Sequence, residues 1–365
     1  MKKTFLFLFI FLALINITGC KKHKEDDVIK NLEKKINKSE SYKLLGDLEI
    51  TNNDDTYQYD VNVSYKKNNN YRVSLINKSN NHEQIILKNK EGVYIITPSL
   101  NKSFKFQSDW PNNNSQIYLL HSIINDIKTD KERLFEEKNG DYIFTTKVNY
   151  PNNTELIKQK IIIDKKLNLK SIEVLNSNDI TQMIMKFKSL DFNSDFNEDF
   201  FDINNIIEQI DNSDLEDGKE KKDNKEGNDS KNETDNNEEP KSNETTNENQ
   251  TGSIDDIIYP LYIPVGTKLT EQEKVSTDSG ERIIMTFDGE KPFLLVEENS
   301  SISDEFDIIP TFGEPYFLSD TIGVLTDNSL LWSSNGIDYY IVSDTMSKLE
   351  LIEVASSISA IPTIK

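Results

Sequence analysis

The sequence predicts a mainly β, α+β protein: an open, curved antiparallel sheet with helices on its concave side, then a smaller α+β unit. Three observations predict it. Many short segments alternate apolar and polar residues with period two. Two segments with apolar residues at helical spacing stand before and between the two sets of strands. A long stretch almost without apolar residues divides the chain in two.

The N-terminus begins with Lys2 and Lys3, followed by an apolar run from Phe5 to Ile15 and then Gly19-Cys20. A charged start, an apolar middle and a small residue before the cut form the pattern of a signal peptide, here residues 1–19. The run is shorter than the ~20 residues of a spanning helix. A cysteine directly after the small residue resembles the lipobox of bacterial lipoproteins. The resemblance implies cleavage between Gly19 and Cys20, acylation of the Cys20 thiol with diacylglyceryl and palmitate-type chains, and attachment to the outer face of the cell membrane. Cys20 is the single cysteine, so its acylation leaves no thiol for a disulfide or a nucleophile.

Residues 20–27 read as a lipidated tether. The first folded unit, 28–205, opens with Asp26-Asp27 ahead of Val28, Ile29, Leu32 and Ile36, a helix with acids at its positive end. Leu44, Leu48 and Ile50 then alternate, followed by Tyr57, Tyr59, Val61, Val63 and Tyr65. Asn68-Asn69-Asn70 turns this strand into Tyr71, Val73 and Leu75. Ile85–Leu87 and Val93–Ile96 flank Lys90-Glu91-Gly92 as a second hairpin. Phe104 and Phe106 lead to Trp110-Pro111. A helix is expected from about Ser115, with Ile117, Leu120, Ile124 and Ile127 inward. Tyr142 to Tyr150, Leu156 to Ile163, Leu169 to Val174 and Met183 to Phe187 read as further strands. A Phe-rich segment, Phe192 to Phe201, closes the unit.

Residues 211–253 are Glu, Asp, Lys, Asn, Ser and Thr with almost nothing to bury, and read as a disordered acidic linker. Their start, Asp211 to Gly218, lacks the carboxylates of a calcium loop. The second unit, 254–365, opens with Tyr259-Pro260-Leu261-Tyr262-Ile263-Pro264-Val265-Gly266. Strands are expected at Arg282–Phe287, Phe293–Glu297, Leu330–Trp332 and Tyr339–Val342. A last helix carries Leu351, Ile352, Ala355 and Ile358 on one face.

The opening helix, the long meander, Lys105-Phe106-Gln107-Ser108-Asp109-Trp110-Pro111, Ser115-Gln116-Ile117-Tyr118-Leu119-Leu120 and Gln159-Lys160-Ile161-Ile162-Ile163-Asp164 resemble the LolA-like, GerS-related lipoproteins of sporulation and germination. The resemblance implies an open antiparallel half-barrel with helices over its mouth. The Tyr-Ile-Pro-x-Gly opening and the Leu-Trp before Gly336-Ile337-Asp338-Tyr339 resemble a small domain of unknown function appended to such lipoproteins.

Composition excludes some functions. A formal charge of −21 argues against nucleic acid, which needs a basic patch. Lys far outnumbers Arg (Arg72, Arg133 and Arg282 only) and Asn and Ile abound, the bias of an AT-rich, low-GC Gram-positive genome. His23, His82 and His121 have no partner at metal-binding spacing, so no metal or cofactor is expected. No nucleophile elbow or phosphate loop occurs. Paired acids such as Asp54-Asp55, Glu136-Glu137, Asp255-Asp256 and Glu297-Glu298 read as solvated faces.

What remains is the interior of the first unit. Tyr57, Tyr59, Val61, Val63 and Tyr65 face either a packed core or an apolar cavity, and Trp110 stands at a corner or a binding lip. The expectation is a non-catalytic, membrane-anchored envelope lipoprotein. The resemblance implies a protein partner, such as a cell-wall amidase, in sporulation or germination. A LolA- or LolB-like carrier of acyl lipid or lipoprotein, and an RseB-like sensor acting on an anti-sigma factor, stand as alternatives.

Overall fold

The computed structural model describes residues 24–52, 55–112, 114–210, 254, 257–277, 280–303, 305–318 and 320–359. Cys20, the leader expected at residues 1–19 and the acidic stretch 211–253 lie outside the described residues.

The first helix, α1, covers 24–37, with Val28, Leu32 and Ile36 buried on its inner face. Residues 24–27, expected in the tether, are helical. Ion pairs hold them down: Arg133 Nε donates to Glu25 Oε1 at 2.8 Å, and Lys24 pairs with Glu137.

Strands β1 (Ser41–Asn52), β2 (Asp55–Lys66), β3 (Asn70–Asn77), β4 (Glu83–Asn89), β5 (Gly92–Thr97) and β6 (Lys102–Phe106) form an antiparallel meander. Asn68 and Asn69 turn β2 into β3 with φ of 71° and 65°, a region asparagine tolerates. After helix α2 (Leu120–Thr129), strands β7 (Leu134–Lys138), β8 (Asp141–Lys147), β9 (Leu156–Asp164), β10 (Leu169–Asn176) and β11 (Thr181–Asp191) continue the sheet, and β11 pairs back onto β1. The β1–β11 register slips at Leu45/Gly46. A Cβ on Gly46 would stand 2.5 Å from the Lys186 carbonyl oxygen, so only glycine allows this bend.

The helix expected from Ser115 starts at Leu120. The backbone of 115–119 is bonded elsewhere: Ser115 N donates to Asn149 O, and Gln116 N to Ser122 Oγ, both at 2.8 Å. Ile117 is buried nonetheless, as are Leu120, Ile124 and Ile127. Strand β7 escaped the sequence reading because only Phe135 of its five residues is buried, leaving no alternation.

A short helix α3 (203–210), capped by Asp202 Oδ1 accepting from Asn204 N at 2.9 Å, covers the outer face of β4 and β5. Ile203, Ile206 and Ile210 bury Ile85, Leu87, Tyr94 and Ile96, while Ile86, Val93 and Ile95 face the main core. These two strands are therefore apolar on both sides, which explains their unbroken apolar runs.

The second unit holds β12 (Thr267–Thr277), β13 (Gly280–Gly289), β14 (Phe293–Asn299), β15 (Asp307–Thr311), β16 (Glu314–Phe317), β17 (Ile322–Leu325), β18 (Ser329–Ser334), β19 (Ile337–Val342) and helix α4 (Lys348–Ser359). Ser347 and Glu350 form a capping box at the start of α4: Ser347 N donates to Glu350 Oε2 at 2.8 Å and Glu350 N to Ser347 Oγ at 3.3 Å. Seven strands make one sheet in the order β12-β13-β14-β19-β18-β17-β16.

Strand β15 leaves that sheet and pairs in parallel with β6. It thereby extends the first sheet to twelve strands, in the order β15-β6-β5-β4-β3-β2-β1-β11-β10-β9-β8-β7. This sheet is open, with β15 and β7 at its edges, and does not close into a barrel. The two units expected to flank a linker thus share a sheet. They also share a buried polar joint: Ile322 N donates to Gln84 Oε1 at 2.6 Å, Thr321 Oγ1 donates to the same oxygen at 3.2 Å, and Gln84 Nε2 donates to Ile322 O at 3.3 Å.

Replacing Gln84 with Ala strands the buried Ile322 peptide groups. A loss of about 1–3 kcal/mol is expected, read by urea denaturation. Unchanged stability would mean that the joint is not formed in solution.

Candidate functional site

The concave face of the twelve-stranded sheet is the place where a half-barrel would hold a ligand. Helices α1 and α2 cover part of it. The rest is covered by the second unit: Phe317, Ile322, Val324 and Leu331 pack into the same core as Leu48, Ile50, Tyr59 and Ile86. Phe317 meets Tyr59 edge to face with ring centroids 5.6 Å apart.

A cavity of about 100 Å³ remains between the sheet and the segment from Glu314 to Ile322. Leu48, Ile50, Ile86, Trp110 and Met183 line it from the sheet side, with Tyr316 and Phe317 opposite. Its polar rim includes Gln116, Asn152 and Glu314, and Asn152 Nδ2 donates to Glu314 Oε1 at 2.9 Å. Pockets for small ligands run to about 300–1,000 Å³, so this space admits water or a small fragment and not an extended acyl chain.

The residues singled out from the sequence are distributed along this interior. Tyr57 is half-buried where the second unit docks, and burial with the charges of Asp320 and Asp55 pushes its hydroxyl pKa up to about 12. Tyr59 is buried beside Phe317, its hydroxyl raised by burial first and then by Asp320. Val61 and Val63 are packed core. Tyr65 belongs to an aromatic cluster: its ring centroid lies 4.9 Å from that of Tyr42, 5.0 Å from Tyr71 and 4.6 Å from His121. Of the six interior candidates, Trp110 alone lines the cavity, and it is 2% exposed. Cys20 lies outside the described residues.

His121 packs against the tyrosines with Nδ1 3.4 Å from the Tyr71 hydroxyl, and burial lowers its pKa. His82 Nδ1 lies 3.2 Å from Ser99 Oγ, and the Asp320 charge acts on the same ring. Burial outweighs the Asp320 charge, so the His82 pKa is lowered. Among the described residues no cluster of His, Cys, Asp or Glu could hold a metal ion.

Two carboxyls escaped the sequence reading. Asp126 on α2 accepts from Gln159 Nε2 at 2.8 Å, and burial raises its pKa to about 6 against that bond and one from Ser115. Glu297, expected on a solvated face, is buried in the second core, and its carboxyl is pushed up to about 7 by burial, opposed by a bond from Ile258 N at 3.2 Å. The alternation of Phe293, Leu295 and Glu297 along β14 places it inward; that signal was present in the sequence. Its neighbour Glu298 turns outward and accepts from Arg282 at 2.7 Å.

No family model matches the chain. Sporulation protein YdcC of Bacillus subtilis (strain 168) is 35% identical over 360 residues, which cover 98% of this chain and 97% of that protein. The chain belongs to the YdcC family of sporulation proteins. Solved structures are more distant. In the complex of Pseudomonas aeruginosa MucA and MucB, a chain covered to 98% matches 90% of this one at 11% identity and a TM-score of 0.29. In the complex of the CwlD amidase with the GerS lipoprotein from Clostridioides difficile, the match spans 47% of this chain and 95% of the other at 18% identity and a TM-score of 0.28. A LolA superfamily protein of Nitrosomonas europaea is matched over 47% of this chain and 96% of its own at 11% identity and a TM-score of 0.27. Scores this low equate no whole folds, and membership of the YdcC family rests on the sequence relative alone. Among the described residues no helix is long and apolar enough to cross a membrane.

The buried carboxyls give this YdcC-family chain a defined pH response. A carboxyl with a raised folded pKa binds its proton more tightly in the native state. Native stability therefore falls as pH rises, from about 4 to about 6 for Asp126 and from about 4.5 to about 7 for Glu297. Glu297→Gln is expected to flatten the part of the denaturation midpoint against pH that lies between 6 and 7. An unchanged profile would mean that Glu297 is not buried as described.

Proposed function

We propose that this YdcC-family chain is a non-catalytic, membrane-anchored lipoprotein of the cell envelope that binds a protein partner during sporulation. The observation that carries the proposal is the filled interior: Phe317 and Ile322 of the second unit occupy the mouth of the half-barrel and leave about 100 Å³. A carrier of acyl chains needs that space empty. Anchoring points the same way, because acylation of Cys20 forbids free shuttling. Buried acyl chains contribute about 0.8 kcal/mol per methylene, so two or three of them hold the chain at the membrane. The sporulation role is supported by the relative at 35% identity. The resemblance to GerS-related lipoproteins implies a cell-wall amidase as the partner.

Two experiments test this. Cys20→Ser is expected to move the chain from the membrane fraction to the soluble fraction; continued retention would contradict the anchor. A chain starting at Lys21, used as bait in extracts of sporulating cells, is expected to retain one envelope protein at equal stoichiometry. Retention of acyl lipid with no protein would contradict the binding role.

A further inference from the structure

The half-barrel has two chemically different ends. At one end stand the turns β2–β3, β4–β5, β7–β8 and β9–β10, as the registers Lys66↔Asn70, Asn89↔Gly92, Lys138↔Asp141 and Asp141↔Asp164 show. Each of these turns carries exposed or half-exposed lysine: Lys66 and Lys67, Lys90, Lys138, and Lys165 with Lys166. Carboxylates stand among them: Glu40 pairs with Lys67 at 2.7 Å, and exposed Glu91 adjoins Lys90. Glu137 takes both Lys24 and Lys165, Asp141 accepts from Lys170 at 2.8 Å, and Asp164 accepts from the N–H groups of Lys166 and Asn168 at 2.8 Å. The turns at the other end, 78–82 and 177–180, are rich in Asn and Ser, and Lys78 there is paired with Asp47 and Asp60. That other end also carries bonds to the second unit, from Asn101 to Ser303 and from Lys102 to Asp338, both at 3.0 Å.

Helix α1 begins with Lys24 at the lysine end. Three residues separate Cys20 from Lys24, a span of at most ~14 Å at full extension. Lys24 shares Glu137 with Lys165, so the start of α1 lies against the β7–β8 and β9–β10 turns. Strand β1, with twelve residues, is roughly 40 Å long. The opposite end lies beyond the reach of the tether.

We infer that the lysine-tipped end of the half-barrel rests on the anionic phospholipid headgroups of the membrane that holds Cys20, which points the joint with the second unit away from the bilayer. The inference rests on the lipid-anchor reading of Cys20. Charge decides the orientation as much as reach does. A chain of net charge −21 is repelled by an anionic surface over most of its area, and lysines held at the surface offset that repulsion within a Debye length of about 8 Å.

The lipidated full chain in phosphatidylglycerol vesicles tests the contact. A single free thiol is introduced at Lys90→Cys or Lys138→Cys, and separately at Asn178→Cys on the opposite end, and labelled with a fluorophore. Quenching by headgroup-spin-labelled lipid is expected to be several-fold stronger at 90 and 138 than at 178, and to weaken as salt is raised. Equal quenching at both ends, or stronger quenching at 178, overturns the orientation. Reversing Lys67, Lys90 and Lys166 to Glu in the Lys138→Cys chain is expected to reduce quenching at 138 while the chain stays on the vesicles; unchanged quenching overturns the electrostatic contact. The anchor is read separately, by the mass of the N-terminal peptide. A chain without acyl groups contradicts the anchor, whereas an acylated chain with equal quenching contradicts only the orientation.

Discussion

The concave face of the twelve-stranded sheet must be kept from water, and the chain meets that demand with its own second unit. A curled antiparallel sheet buries one side of each strand only if something fills the curve. Helices α1 and α2 supply part of the filling. Phe317 and Ile322 supply the rest, and they can enter because Gln84 satisfies the peptide groups of Ile322 in the buried joint. Strand β15 fixes the approach by pairing along β6. Burying the Ile322 peptide without Gln84 would leave a donor and an acceptor unpaired, which costs more than the apolar contact of a single side chain can reliably offset.

Function follows from that filling. A half-barrel whose mouth is closed by its own chain presents surface and not volume. The cavity beside Phe317 is small and rimmed by Gln116, Asn152 and Glu314. The histidines do not alter this reading. His121 is a packing partner of three tyrosines, and His82 keeps a lowered pKa despite Asp320. Family membership supplies the sporulation context.

Much of the first unit was legible because its strands are long and buried on one face. Tyr59, Val61, Val63 and Tyr65 alternate as the sequence suggests, and the Asn-rich turn after them lies where expected. Elements governed by edges or by distant contacts were not legible. Strand β12 is exposed along most of its length, so it carries no alternation. Strand β15 is exposed and contains Pro310, and only its pairing with β6 makes it a strand. Helix α3 is short and Asn-rich, stabilised by the outer faces of β4 and β5. The plug was illegible for the same reason. Nothing in Glu314–Phe317 announces that its partner is Tyr59, more than two hundred residues earlier. Along β2 the pattern places Tyr59, Val61, Val63 and Tyr65 inward, where they are buried, but it does not separate packed from hollow, which depends on what the second unit brings.

The most direct measurement is native mass spectrometry of the soluble chain that starts at Lys21, purified from cells without added detergent. A filled interior requires the mass of the polypeptide alone. A non-covalent adduct of one acyl lipid per chain, displaced only on unfolding, would show that the half-barrel opens to hold it and would contradict the closed mouth described above.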